Sequence, residues 1–164
     1  MARIYLSLGS NIDRERSLRG AITHLREHFG ELTVSRVFES TAVGFDGEDF
    51  YNLCVGLDTD MDVLEVNRVL HDIEDQYGRD RNGPRFSSRT LDIDLLLYDD
   101  LVMKEGKLEL PRDEITKHAF VLWPLAEVAA DTLHPTEGKT IAELWRDFDK
   151  ASQALHPVDF DPAQ

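Results

Sequence analysis

The stretch Arg89-Thr90-Leu91-Asp92-Ile93-Asp94-Leu95-Leu96-Leu97 sets two carboxylates one residue apart inside an apolar run. A β-strand alternates its side chains between two faces. Asp92 and Asp94 therefore project from one face, and Leu91, Ile93 and Leu95 from the other, toward a core. Two like charges side by side on one strand face give a soluble strand no stability. A divalent cation held between them accounts for the arrangement. An exposed strand face that carries two aspartates by chance is the plain alternative.

The residues before this strand have the opposite sign. From Gly78 to Thr90 the chain carries Arg79, Arg81, Arg85 and Arg89 against Asp80. That leaves the segment at +3 in a chain of formal net charge −14, so the remainder carries −17. Such a balance argues against a broad nucleic-acid or anionic-membrane surface. A small basic island beside paired aspartates instead suits a compact polyanion such as a nucleoside triphosphate; a solvated basic loop is the plainer reading. Magnesium prefers oxygen ligands and commonly binds one or two carboxylates together with phosphate oxygens. The arginines would neutralise phosphate charge. No Gly-x-x-x-x-Gly-Lys-Ser/Thr loop and no strand-linked Gly-x-Gly-x-x-Gly is present. Phosphate binding therefore falls to arginines and metal rather than to a helix N-terminus. The six histidines show no zinc-ligand spacing; His24 and His28 lie four apart on a helix without a third ligand and read as a surface pair.

Working outward, residues 3–8 read as a first strand. Leu18, Ala21, Ile22 and Leu25 have the spacing of an amphipathic helix over 17–29, with Gly30 as its stop. Residues 31–40 alternate as one strand, 42–49 form a loop, and 50–58 form another strand. Val63, Val66, Leu70 and Ile73 mark a second helix over 62–77. After the Asp92/Asp94 strand to Tyr98, Asp99-Asp100 suits a turn into 101–103. Residues 120–130 and 140–148 read as helices. The order β-α-β-β-α-β, with short connections, predicts an α+β fold: a ferredoxin-like core with an antiparallel sheet, extra strands and C-terminal helices.

Composition bounds the rest. The 164 residues, 41% hydrophobic and 30% charged, suit a single globular domain over 1–164, with a loosely held tail from Ala154. The one cysteine, Cys54, excludes an internal disulfide and reads as a small buried hydrophobe. The N-terminus lacks the apolar core of a signal peptide and no segment is long enough to span a bilayer, so a cytoplasmic setting is expected. No obligate protein partner is evident.

Four segments together resemble the 6-hydroxymethyl-7,8-dihydropterin pyrophosphokinase family. They are Leu6-Ser7-Leu8-Gly9-Ser10-Asn11, Tyr51-Asn52, Arg89-Thr90-Leu91-Asp92-Ile93-Asp94 and Phe120-Val121-Leu122-Trp123-Pro124-Leu125. The resemblance runs from about residue 3 to about residue 145. It implies transfer of pyrophosphate from ATP to the pterin hydroxymethyl group, with release of AMP, in folate biosynthesis. It further implies that Asp92 and Asp94 hold two Mg²⁺ ions across the triphosphate and that Arg79 and Arg89 are the catalytic arginines. Nucleotide contacts would fall on His71, Glu74, Arg81, Arg85, Leu95 and Lys107. The pterin would lie between Phe50 and Phe120, its polar edge read near Ser40, Val43 (through backbone) and Asn52. Without the resemblance, both phenylalanines read as core.

The chain departs from the family pattern in places. Ser87-Ser88 precede Arg89 where the family has Gly-Pro, and Phe86 stands at a tryptophan position. Thr41-Ala42-Val43-Gly44 replaces a proline-rich stretch. Arg112, Asp113 and His118 occupy histidine, tyrosine and arginine positions. Asp113 beside a triphosphate would repel it, and His118 carries full charge only when protonated. A diverged paralogue that binds a pterin but transfers poorly, and a metal-dependent nuclease or phosphohydrolase, are the rival expectations.

Overall fold

The computed structural model describes residues 1–40, 49–77 and 91–163. The centre of the sheet is β1 (Ala2–Ser10), whose Ile4, Leu6 and Leu8 are fully buried. Burying each such side chain contributes about 1.5–3 kcal/mol. On one side β1 pairs antiparallel with β4 (Phe50–Thr59), from Ala2 opposite Thr59 to Ser10 opposite Tyr51. On the other it pairs antiparallel with β5 (Asp92–Tyr98). The far edge of β4 is shared by β2 (Thr33–Val34) and β3 (Val37–Ser40). The fold is ferredoxin-like α+β, with the split β-α-β pattern in which β4 lies between β1 and β3.

Helices cover both faces. On one, α1 (Arg14–Phe29) turns Leu18, Ala21, Ile22 and Leu25 inward, and α2 (Val63–Asp75) adds Val66, Val69, Leu70 and Ile73. The α1 helix stops at Gly30, whose φ of 82° strains any residue with a Cβ. The α2 helix starts where the Asp62 side chain accepts the Glu65 backbone N–H at 2.9 Å. Its end is fixed by Tyr77, which lies over Gly20 of α1 so closely that any Cβ there would collide with the phenol. On the other face lie α3 (Ala119–Ala129) and α4 (Ile141–Asp147). Their contact is aromatic: Trp123 packs on Phe38 at 4.6 Å between ring centres and on Trp145 at 5.2 Å.

Three local features depart from simple alternation. Residues 31–40 were expected as one strand, but Ser35 and Arg36 interrupt it between β2 and β3. The Ser35 hydroxyl there accepts the Cys54 N–H at 2.9 Å, and its own N–H bonds the Cys54 carbonyl at 2.9 Å. One extra residue is thereby taken up and β4 continues unbroken. In β5, Leu6 faces Leu95 but Tyr5 faces Leu97, so Leu96 is a bulge residue. The bulge inverts the parity: Leu91, Ile93 and Leu95 pack under α1 and α2, while Leu96 and Leu97 both pack under α3. After β5, the hairpin of β6 (Met103–Glu105) and β7 (Leu108–Leu110) returns the chain to the edge of the sheet.

The tail was expected to be loosely held; Leu155–Val158 instead forms β8, antiparallel to β3. Beyond it Phe160 stacks on Tyr51, 6.1 Å between ring centres, and Arg19 lies over the Phe160 ring at 4.8 Å. The strand went unread because Leu-His-Pro-Val has no clean alternation, and only the partner strand supplies its order. Among the described residues no helix is long and apolar enough to cross a membrane.

Two predictions follow from these contacts. Removing residues 155–164 deletes four cross-strand pairs and the Phe160 contacts. It should lower stability by about 2 kcal/mol and the melting temperature by ~5 °C; an unchanged melting curve would mean that β8 contributes nothing. The second concerns His134, which is 3% exposed and accepts the Thr136 and Glu137 N–H groups on Nδ1, each at 3.2 Å. Burial lowers its pKa, with the Glu137 charge opposing. The folded state thus favours the neutral ring. The stability this gives is present above the ordinary histidine value, near ~6.5, and is lost as pH falls through it toward the lowered folded value. Urea unfolding at pH 7.5 and 5.5 should show a larger acid loss in wild type than in His134→Asn, whose Oδ1 accepts without titrating.

Candidate active site

The site is built on the α3-facing side of the sheet by the register of β1. Ser7 lies opposite Asp94, and Gly9 opposite Asp92. On the other flank, Gly9 lies opposite Asn52. Asp92, Gly9 and Asn52 thus form one row across three strands, with Asp92 and Asn52 two strand spacings apart, roughly 10 Å. Gly9 keeps the row open: a Cβ there would stand 3.4 Å from Asn52 Oδ1 and 3.8 Å from the Phe50 ring. The expected common face of Asp92 and Asp94 is what β5 shows, with Ile93 and Leu95 turned into the opposite core.

The acidic end of the row is crowded with charge. Burial first, then the Asp92 charge, raises the pKa of Asp94 well above the usual carboxylate range; Glu114 and Glu74 push the same way. Arg112 opposes them. Its Nη2 lies 3.2 Å from Asp94 Oδ1, and its Nε lies 3.7 Å from Glu114 Oε1. Burial works against the guanidinium's charge, but Asp94 and Glu114 more than offset it and the net shift is upward. In the sequence Arg112 reads as a departure at the nucleotide periphery, and nothing singles out Glu114. No sequence signal reveals the pair, because Arg112 lies 18 positions beyond Asp94, across a hairpin.

Glu74, in the last turn of α2, is 3% exposed. Its Oε2 accepts the backbone N–H of Ile93 at 2.8 Å, so it pins β5 between the two aspartates. His71 lies one turn earlier on α2 and is exposed. Leu95 is 1% exposed, which leaves only its backbone for any ligand contact. Lys107 sits exposed at the β6–β7 turn. Asp113 is ion-paired with Lys117 at 2.6 Å.

At the other end of the row, Asn52 is 4% exposed and donates from Nδ2 to Ser40 Oγ at 2.8 Å. Phe50 stands two residues away on the same face of β4, and Phe120 enters from the first turn of α3. His118 stacks on Phe120, 4.8 Å between ring centres and 19° between planes. Cys54 is fully buried, and burial pushes its thiol far up, away from reactivity. Structure thus brings Asp92, Asp94, Ser40, Phe50 and Asn52 to one end of the sheet, with Glu74 reaching Ile93 from α2 and Phe120 on the first turn of α3 beside His118. Arg79, Arg81, Arg85, Arg89 and Val43 lie outside the described residues, as do Phe86 and Ser87-Ser88.

Residues 5–130 match the family model of 7,8-dihydro-6-hydroxymethylpterin-pyrophosphokinase, HPPK. The chain belongs to the HPPK family. That places it among the diphosphotransferases of folate biosynthesis. It is 33% identical over 146 residues to the 2-amino-4-hydroxy-6-hydroxymethyldihydropteridine pyrophosphokinase of Aquifex aeolicus (strain VF5), covering 88% of this chain and 91% of that one. To the protein of the same name from Bacillus subtilis (strain 168) it is 35% identical over 160 residues, covering 93% and 95%. Among solved structures, wild-type HPPK-DHPS of Plasmodium falciparum superposes with a TM-score of 0.69 at 16% identity. That match covers 88% of this chain and 44% of the longer one, and it bears on the fold alone.

The Glu74 contact is directly testable. Glu74→Ala strands a buried N–H and should cost about 1–3 kcal/mol, whereas Glu74→Gln, which can still accept, should cost less. Hydrogen exchange at the Ile93 amide is the readout: faster exchange in Glu74→Ala is expected, and unchanged protection would remove Glu74 from this role.

Proposed function

We propose that this HPPK-family chain transfers pyrophosphate from ATP to the hydroxymethyl group of 6-hydroxymethyl-7,8-dihydropterin, releasing AMP, with magnesium at Asp92 and Asp94. One observation carries the reading: a row across three strands has paired carboxylates at one end and a buried Asn52–Ser40 amide–hydroxyl pair beside Phe50 at the other. A flat, polar heterocycle needs ring faces to stack on and a fixed polar edge. Phe50 and Phe120 supply the faces; Asn52, Ser40 and the Val43 backbone supply the edge.

The carboxylates fit a hard divalent cation. They share a face, their charges are mutually unfavourable, and a cationic guanidinium already lies on Asp94. Two magnesium ions bound there would neutralise triphosphate charge and polarise the phosphate oxygens. The protein's own part is to hold the pterin's polar edge about two strand spacings from the carboxylates, so that its hydroxymethyl group points toward them and the hydroxyl lies in line with the β-phosphorus. Arg79 and Arg89 would stabilise charge on the transferring group, and His71, Arg81, Arg85, Lys107 and the backbone at Leu95 would orient the nucleotide. Glu74 contributes by fixing Ile93, and with it both aspartates. The −17 balance outside the arginine segment weighs against a polynucleotide substrate. A cytoplasmic setting suits these substrates.

The test is AMP formation from ATP in the presence of the hydroxymethyl dihydropterin, with one pterin diphosphate made per AMP. Asp92→Ala combined with Asp94→Ala should lower kcat/KM by on the order of a thousandfold. Turnover that survives the double substitution would sink the metal assignment. Pterin binding by calorimetry without any AMP release would point instead to a non-transferring paralogue.

A further inference from the structure

Asp94 already has a cation. Arg112 Nη2 lies 3.2 Å from its Oδ1, and both side chains are about a quarter exposed. The arginine backbone is fixed independently of that contact. Its N–H bonds the Leu96 carbonyl at 2.9 Å, next to the β5 bulge, and its carbonyl accepts the Ile115 N–H at 3.2 Å. The head group can therefore move while its Cα stays in place. A second carboxylate is within its reach, since Glu114 Oε1 lies 3.7 Å from Nε. A guanidinium ion-paired with Oδ1 occupies the side of the carboxylate that a metal ion would need. It also carries a fixed positive charge that would repel a divalent cation a few ångströms away.

We propose that Arg112 is the resident counter-ion of Asp94, which a divalent metal must displace in order to bind, so that Arg112 weakens metal binding to the nucleotide-free protein. The inference rests on the metal assignment at Asp92 and Asp94 and adds an exchange step to it. On displacement the guanidinium keeps Glu114 as a partner and remains at the rim of the site. Arginine stays protonated throughout the working pH range, so this competition does not fade with pH as a histidine's would.

Titration with Mn²⁺ in the absence of nucleotide, read by electron paramagnetic resonance of the free ion, tests the exchange. Arg112→Met should bind Mn²⁺ on the order of tenfold more tightly than wild type. Asp94→Asn should lose the site. Arg36→Met removes the same charge from a remote pair with Glu127 and should leave the affinity unchanged. Equal or weaker binding by Arg112→Met, with binding lost in Asp94→Asn, overturns the role of Arg112 and leaves the metal site standing. Unchanged binding in Asp94→Asn overturns the metal assignment itself. Tightening by Arg36→Met as large as that by Arg112→Met would mean that net charge, not exchange, is responsible. A crystal structure of the wild-type protein with Mn²⁺ decides independently of any variant's folding. Arg112 should have left Asp94, and a guanidinium still on Oδ1 beside a bound metal refutes the exchange.

Discussion

The register of β1 is the constraint on which the rest of the molecule depends. Its even positions Ile4, Leu6 and Leu8 build the core beneath α1 and α2. Its odd positions Ser7 and Gly9 face Asp94 and Asp92 of β5 on one side and Cys54 and Asn52 of β4 on the other. A slip of one residue would exchange the two sets, placing leucines among carboxylates. Core burial and the geometry of the site are thus fixed by one pairing. The apolar face specifies the register strongly, and the polar face inherits it.

The inherited face is electrostatically costly. Four carboxylates (Asp92, Asp94, Glu74 and Glu114) gather at the edge of the sheet. Three of them are compensated in two ways. Glu74 accepts a backbone N–H, whereas Asp94 and Glu114 share a guanidinium. Such an arrangement is least favourable without a cation, so a metal bound as proposed would relieve a repulsion built into the fold. The opposite end of the row carries no such tension. Asn52 and Ser40 satisfy each other, and stacking surfaces need no charge.

Much of this was legible from sequence because the two periodicities are local. Leu18, Ala21, Ile22 and Leu25 announced α1, and alternation around Asp92 and Asp94 announced the face they share. The start of α1 was missed by three residues, since Asp13 enters it in a left-handed conformation with no side-chain cap. The break at Ser35 was invisible because a hydroxyl there does the work of a backbone group. The inverted parity at Leu96 was invisible too, since a bulge depends on the partner strand and an unbroken run of leucines suits either face. The Arg112–Asp94 pair depends on where a hairpin returns the chain, which no local pattern encodes. Family resemblance supplied what periodicity could not, namely the expectation that Phe50, Asn52 and Phe120 serve one ligand.

The last strand carries a consequence for how the molecule behaves among copies of itself. β8 terminates the sheet on its β3 side and offers the next row of backbone groups to solvent. At Pro157, opposite Phe38, that row lacks an N–H. An incoming strand from a neighbour would find its ladder interrupted halfway along a four-residue edge, with exposed His156 adjacent. Short length and a proline are common means of blunting a sheet edge against self-templated aggregation. The segment that looked least structured in the sequence thus helps keep a leucine-rich sheet from growing beyond its own chain.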